Sequence, residues 1–190
     1  NRKSTDALKA MLEAGMSPDI HYFNQSIIFE TPPLNANDAL TVLVEFGADI
    51  NARDPVGRTF LVDQIGTSFD ECLYLLEQGA DPEIITYGGL SLAFSVQEEL
   101  DFMDKSSEAY KKMGLIKQKL VEQGIQFPAL SPQGEMIARD IVWCDEPEGY
   151  FPRKECQLIG INEYEGRQSE HIRKRDEQIL KDRYNIVHKF

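Results

Sequence analysis

Sulfur, imidazole and indole are scarce in this 190-residue chain, which has three cysteines, three histidines and one tryptophan. Three cysteines cannot build a multi-disulfide scaffold. An odd count without an apolar leader fits a reducing compartment. Cys72, within Cys72-Leu73-Tyr74-Leu75-Leu76, reads as a small core hydrophobe, while Cys144 and Cys156 leave one pairing open. His21, His171 and His188 join no metal-ligand pattern. Gly-x-Ser-x-Gly, a phosphate loop and His-Glu-x-x-His are all missing. The expectation is a chain without catalysis, metal or cofactor. Trp143 follows Ile141-Val142 and reads as a residue that closes the core.

Basic charge is also short: 20 Lys+Arg stand against 32 Asp+Glu, a net −12. A general nucleic-acid binder needs a basic face, so that class is excluded. Long apolar runs are absent too. The charge-free stretch from Ile84 to Gln97 is too short to span a bilayer, so no membrane insertion is expected. Asn1-Arg2-Lys3 leads into polar Ser4-Thr5-Asp6, unlike a secretory signal. These readings point to a cytoplasmic monomer. With 42% hydrophobic and 27% charged residues the composition is that of an ordinary globular chain.

What the sequence does contain is a repeat. Leu8-Lys9-Ala10-Met11-Leu12-Glu13-Ala14-Gly15 has the pattern of Leu40 to Gly47, Cys72 to Gly79 and Lys117 to Gly124. Each segment carries adjacent apolar residues, then Glu, one variable residue and Gly. Helical spacing of the apolar positions predicts four amphipathic helices, each ended by a left-handed glycine. Asn37 precedes the second as a cap, and Ser68-Phe69-Asp70-Glu71 has capping-box form before the third. A second register, Asn24 to Ile28, Gly57 to Leu61, Gly88 to Leu92 and Gly134 to Ala138, predicts a shorter helix in each unit. No such unit can bury its own apolar face, so neighbours must stack.

The segment Gly47-Ala48-Asp49-Ile50-Asn51-Ala52-Arg53-Asp54-Pro55-Val56-Gly57-Arg58-Thr59-Phe60-Leu61 resembles the ankyrin repeat, and Gly79-Ala80-Asp81-Pro82 reopens the same signature. The family pattern is Gly-Ala-Asp-x-Asn-Ala followed by Asp-x-x-Gly-x-Thr-Pro-Leu-His. Phe60 replaces its Pro and Val62 its His. Ser26 takes the Thr position in the first unit, and Leu90 and Ala93 take the Thr and His positions in the third. The resemblance covers about residues 4–138. It implies an all-α fold, an ankyrin-type α-solenoid with short hairpin loops. Full repeats fall near 19–50, 51–82 and 83–128 within an array over 1–143, followed by an extension over 144–190.

Two departures stand out. The third repeat carries extra residues near 97–113, rich in helix formers and without Pro or Gly, expected to lengthen both its helices as a surface insertion or a partner-contacting protrusion. Beyond a Pro/Gly loop at 145–152 and a short apolar segment at 157–162, Gly166 to Tyr184 reads as a helix with Ile172, Ile179, Leu180, Tyr184 and Val187 on one side. From Gly166 to the end, seven Lys/Arg stand against four Asp/Glu, net +3, which leaves −15 on the chain before Gly166. This helix is expected to dock on the acidic array and cap its last repeat.

The resemblance implies a binding module whose concave surface is made of hairpin tips and first helices. In this sequence the tips carry His21, Tyr22 and Phe23; Arg53, Asp54 and Val56; and Ile85, Thr86 and Tyr87. Glu30, Asp63 and Phe94 come next along the first helices. The expected partner contacts are Tyr22, Phe23, Glu30, Arg53, Asp54, Asp63, Tyr87 and Phe94, toward a protein partner with a basic surface. Two alternatives stand beside this reading. One is an acidic inhibitor or immunity protein neutralising a basic toxin or enzyme. The other is the targeting part of a larger secreted effector, delivered into a host cell.

Overall fold

The computed structural model of the protein describes residues 2–32, 38–139 and 170–187. Within them the chain is mostly helical, with eight α-helices and one minimal hairpin. Helix α1 (Arg2–Glu13) leads to strands β1 (His21–Tyr22) and β2 (Gln25–Ser26) and a 3-10 turn (Ile27–Glu30). Then come α2 (Ala39–Glu45), α3 (Phe60–Asp63), α4 (Phe69–Glu77), α5 (Leu92–Phe102), α6 (Glu108–Glu122), α7 (Pro132–Ala138) and α8 (Glu170–Tyr184). The expected cap Asn37, the core residue Trp143, Cys144 with Cys156, the segments 145–152 and 157–162, and His188 lie outside the described residues.

The first helical element of each unit starts at a hydroxyl cap, which reaches the amide two residues on at Ser26 and three residues on at the other three. A hydroxyl at Ser26, Thr59, Ser91 or Ser131 accepts a hydrogen bond from the N–H of Ile28, Val62, Phe94 or Gly134. An N-terminal amide of the helix, otherwise orphaned, is thereby satisfied. Ser107 caps α6 likewise through the Tyr110 amide. This common cap corrects the predicted register. In the third unit the cap is Ser91 and not Leu90, so Phe94 is the counterpart of Val62 and not of Asp63. In the fourth, the helix begins at Pro132, two residues before the expected Gly134, because Ser131 caps it and Pro132 suits the first turn.

The ends are equally regular. Gly15, Gly47, Gly79 and Gly124 all have φ between 84° and 96°. At each, the following amide donates to a carbonyl five residues back, as Ala48 does to Leu43 at 2.9 Å and Ile125 to Leu120 at 3.0 Å. That left-handed cap needs glycine. The capping box before α4 is a correction: Ser68 is the N-cap residue, but its hydroxyl makes no capping bond. Its backbone, at φ −144° and ψ 96°, departs from the conformation of the working caps.

Packing joins like with like. Helix α3 packs on α4 and α5 on α6; across units α1 meets α2, α4 meets α6 and α3 meets α5. Lys112 pairs with Asp70 at 2.7 Å and Lys119 with Glu77 at 3.3 Å. The equal offset at both contacts means that α4 and α6 run parallel. One core runs through the units, from Ile28 and Leu40 through Leu61 and Leu75 to Leu92, Ile116 and Leu120, all almost fully buried. The extra residues of the third unit lie in both of its helices: α5 has 11 residues and α6 has 15, against 4 and 9 in α3 and α4.

Backbone ladders run beside this core. The carboxylate of Asp19 accepts from the Asp49 amide at 2.7 Å, and the Asn51 side chain from the Asp81 amide at 2.9 Å. Asp49 and Asp81 in turn accept from amides two residues on, at Asn51 and Glu83. Side chain and backbone thus stitch each unit to the next, with the same sequence separation at both steps.

Gly89 and Gly15 separate conformational strain from packing. Both have positive φ, but a Cβ at Gly15 meets open space while one at Gly89 meets the Pro132 carbonyl and Met136. Gly15→Ala should cost about 1–2 kcal/mol, the left-handed penalty alone. Gly89→Ala should cost at least about 1 kcal/mol more, since overpacking adds to it. Urea denaturation of the two variants checks the difference.

Candidate partner-binding surface

Strands β1 and β2 pair His21 with Ser26 and Tyr22 with Gln25. That register leaves Phe23-Asn24 as a two-residue loop, with φ of 47° and 63°. Both positive angles mark the turn type that matches strand twist. Asn24 tolerates it, whereas a bulky residue such as Phe23 rarely adopts positive φ. Phe23 is nevertheless 85% exposed, with the Tyr22 ring edge-on at 4.5 Å. Val56 presents a further exposed apolar side chain at the next tip.

The tips are tied to each other. The Tyr87 amide donates to the Val56 carbonyl at 3.3 Å, and the Tyr87 ring lies where a Cβ on Gly57 would stand. Arg53 covers the other part of that ring, 5.4 Å from its centre. Tyr87 is therefore half-buried between tips, and Arg53 remains exposed beside it.

Asp54, expected to contact a partner, turns inward. Its carboxylate accepts from the Val56 and Arg58 amides at 3.0 and 2.8 Å and from Arg58 Nε at 2.8 Å. With 5% exposure it holds the turn shape. Thr86 does the same job in the next tip, where its hydroxyl accepts from the Leu90 amide. Asp63 is partly shielded and faces Arg58 at 3.2 Å. Arg58 sits between the two carboxylates with its own pKa raised, chiefly by the Asp54 hydrogen bond. Glu30 is exposed.

Phe94 lies under helix α8. The Arg175 guanidinium stands 5.5 Å from the Phe94 ring centre, and its Nη1 is 3.5 Å from Glu98. Next to it, Asp176 is fully buried, accepting from the Ser131 amide at 3.2 Å and from the Ser131 hydroxyl. It sits over Gly134, where any Cβ would press on its oxygen at 2.8 Å. Ile179 and Leu180 join Leu130 in a small apolar cluster with Ile137 and Ile186 at its edge. Helix α8 packs on α7 and Leu130, and its contact face differs from the expected one. Tyr184 and Val187 are exposed, and Ile186 and Asp176 take their place.

Beside α8 a cavity of about 280 Å³ opens between Pro82, Gln126, Glu135, Arg139, Arg183 and Tyr184. Burial pushes the Glu135 carboxyl up, against the opposing hydrogen bond from Arg139 at 3.0 Å. His21 is exposed, with its ring near the Asp19 carbonyl, and His171 is exposed on α8. Cys72 is buried in the core, where desolvation lifts its thiol to about 12. Among the described residues no cluster of His, Cys, Asp and Glu is placed to hold a metal, and no helix is long and apolar enough to cross a membrane. Sequence reasoning missed Arg175, Asp176, Ser131 and Gly134. Ser131-Pro132 was the available signal, since a hydroxyl residue followed by Pro suits the cap and first position of a helix.

Asp176 provides the pH prediction. Burial raises its carboxyl above the usual value of about 4, more than the Ser131 hydrogen bonds and nearby Arg175 lower it, and Glu98 adds to the rise. A raised folded pKa means that the folded state holds the proton more tightly. The stability it contributes is full below the unfolded pKa and is lost as pH rises through the folded one. Glu135, facing Arg139, Arg183 and Asp176, acts in the same sense. Docking of α8 should weaken as pH rises from about 4, and Asp176→Asn should flatten that dependence. Hydrogen exchange of α8 amides across this range is the measurement.

No family model matches the sequence and no curated protein matches it, which leaves the chemistry of the surface itself as the guide to what it binds.

Proposed function

We propose that the chain is an ankyrin-type array that binds a protein partner through its hairpin tips and the first helices of its units, without chemistry of its own. The observation that carries this reading is the tip row. Phe23 is held at positive φ and 85% exposed, against Tyr22, with Val56 at the neighbouring tip. Exposing a strained aromatic costs stability without helping the core, and such strain concentrates at functional positions. Aromatic residues on a rigid support are the usual anchors of protein interfaces.

Several features support the ankyrin-type reading. Hydroxyl caps recur at Ser26, Thr59 and Ser91, Gly47 and Gly79 end successive units in the same left-handed conformation, and like helices pack on like. Net charge supports the second half of the proposal. With −15 on the chain before Gly166, a partner with a basic surface is favoured and is steered in by long-range attraction. An inhibitor of a basic enzyme is one member of this class. The array acts as a cytoplasmic monomer in this reading.

Capture of partners from native lysate tests the reading, comparing the wild-type chain with Tyr22→Ala/Phe23→Ala and with Leu115→Ala. The double tip variant should weaken capture at least tenfold, about 1.4 kcal/mol. Leu115→Ala, an exposed residue on α6, should leave it unchanged. Association should slow as salt rises. Capture undiminished by the tip variant would sink the proposal.

A further inference from the structure

The seat of α8 is built for particular side chains. Phe94 offers a ring face and Glu98 a carboxylate to one arginine. Three residues at the start of α7, Ser131, Pro132 and Gly134, form the pocket for one aspartate. Ser131 supplies a hydroxyl and an amide, and the missing side chain of Gly134 supplies the space. Arg175 and Asp176 are adjacent in sequence, and the apolar pair Ile179-Leu180 follows one helical turn later. Phe94 is the third-unit counterpart of Val62, so α8 lies along the same first-helix row that the tips border.

Yet the fit is incomplete. Nε and Nη2 of Arg175 are buried without a hydrogen-bond partner among the described residues, and Nε stands 3.9 Å from Asp176, too far for one. Gln97 Nε2 and Gln133 Oε1, on the two helices beneath α8, are likewise buried and unpartnered among the described residues. Each such atom carries a desolvation cost that no bond among the described residues offsets. The apolar contribution is small: of the core residues that α8 provides, only Ile179 and Leu180 are buried. A helix held by few apolar contacts over unsatisfied polar atoms is held weakly relative to α5 or α6, which bury Leu92, Val96, Met113, Ile116 and Leu120.

We propose that the Phe94–Glu98–Ser131–Gly134 surface is a receptor for a helix presenting an arginine–aspartate pair followed by two apolar residues, and that α8 is its exchangeable occupant in the same chain. A partner helix with that pattern displaces α8 and takes its seat. The arginine gains the ring and the carboxylate, the aspartate gains the α7 cap, and the displaced α8 returns its buried charges to water. This deepens the proposed function and rests on it only for the statement that a partner uses this face; the receptor site itself is testable without any partner.

The probe is a fluorescent synthetic peptide of residues 170–187, titrated into the 190-residue chain. In the wild-type chain the seat is occupied, and the peptide should bind weakly. Arg175→Ala/Asp176→Ala, which loosens α8 in its own chain, should tighten peptide binding at least tenfold. Adding Phe94→Ala and Gly134→Val to that variant should abolish it. Circular dichroism verifies that each variant keeps its helix content. For variants that fail to fold, hydrogen exchange on the wild-type chain decides instead: α8 amides should exchange at least tenfold faster than those of α5 and α6. Equal affinity for the wild-type and loosened chains, binding that survives the receptor substitutions, or α8 protection equal to that of α6 would each overturn the proposal. Peptide exchange with no effect of the tip residues on lysate capture would retain the receptor and remove the tip reading.

Discussion

Among the described residues no helix between α1 and α5 is long enough to stand alone, and that constraint governs the molecule. Helix α3 has four residues and α2 seven, far below the length of about a dozen at which an isolated helix becomes marginal in water. Their stability comes from being covered. Leu61 is buried because α4 lies on one side and the neighbouring units on the other, and Cys72 closes the contact with its thiol toward the Leu61 carbonyl at 3.8 Å. Capping hydroxyls and terminal glycines let such short pieces begin and end without orphaned amides. The covered faces then leave the tips and first-helix row as the surface with freedom to specialise.

Much of the scaffold was legible because its signals are local. A glycine after Glu-x needs no tertiary context, and Gly15, Gly47, Gly79 and Gly124 all take the predicted conformation. Thr59 was legible as part of the second register and not as the cap that it is. Register in the later units was not, because it was anchored on glycines 88 and 134, and glycine can serve several purposes. Gly89, not Gly88, has the positive φ of a tip, and Gly134 is a helical residue that makes room for Asp176. Only the hydroxyl caps carry the register faithfully through the insertion.

The surface was legible in outline and not in detail. Tip residues Tyr22, Phe23 and Arg53 follow from the repeat pattern. Asp54 does not, because whether a turn carboxylate faces solvent or its own backbone depends on the closing amides of Val56 and Arg58. That Phe94 would be the residue covered was not legible: it depends on a helix that comes only after α6 and α7 have passed. The charge imbalance between body and tail hinted at that contact, but it was Arg175 and Asp176 together that determined its place.

The side-chain ladder that links Asp19 to Asp49 and Asn51 to Asp81 has no continuation from Glu83 among the described residues. The cavity opens at this point, and beyond it the fourth unit is attached through α7 and the seat of α8. The array therefore has a seam. Units before it are joined by the side-chain stitch and by the core from Ile28 to Leu120, with a second cluster of Leu12, Val42, Leu43 and Ala48 at the α1 end. The part beyond it depends on its own small cluster around Leu130 and Leu180. Apolar packing among the described residues is thus partitioned, and one boundary falls beside the seat of α8. One end can reorganise there without the rest of the array having to open.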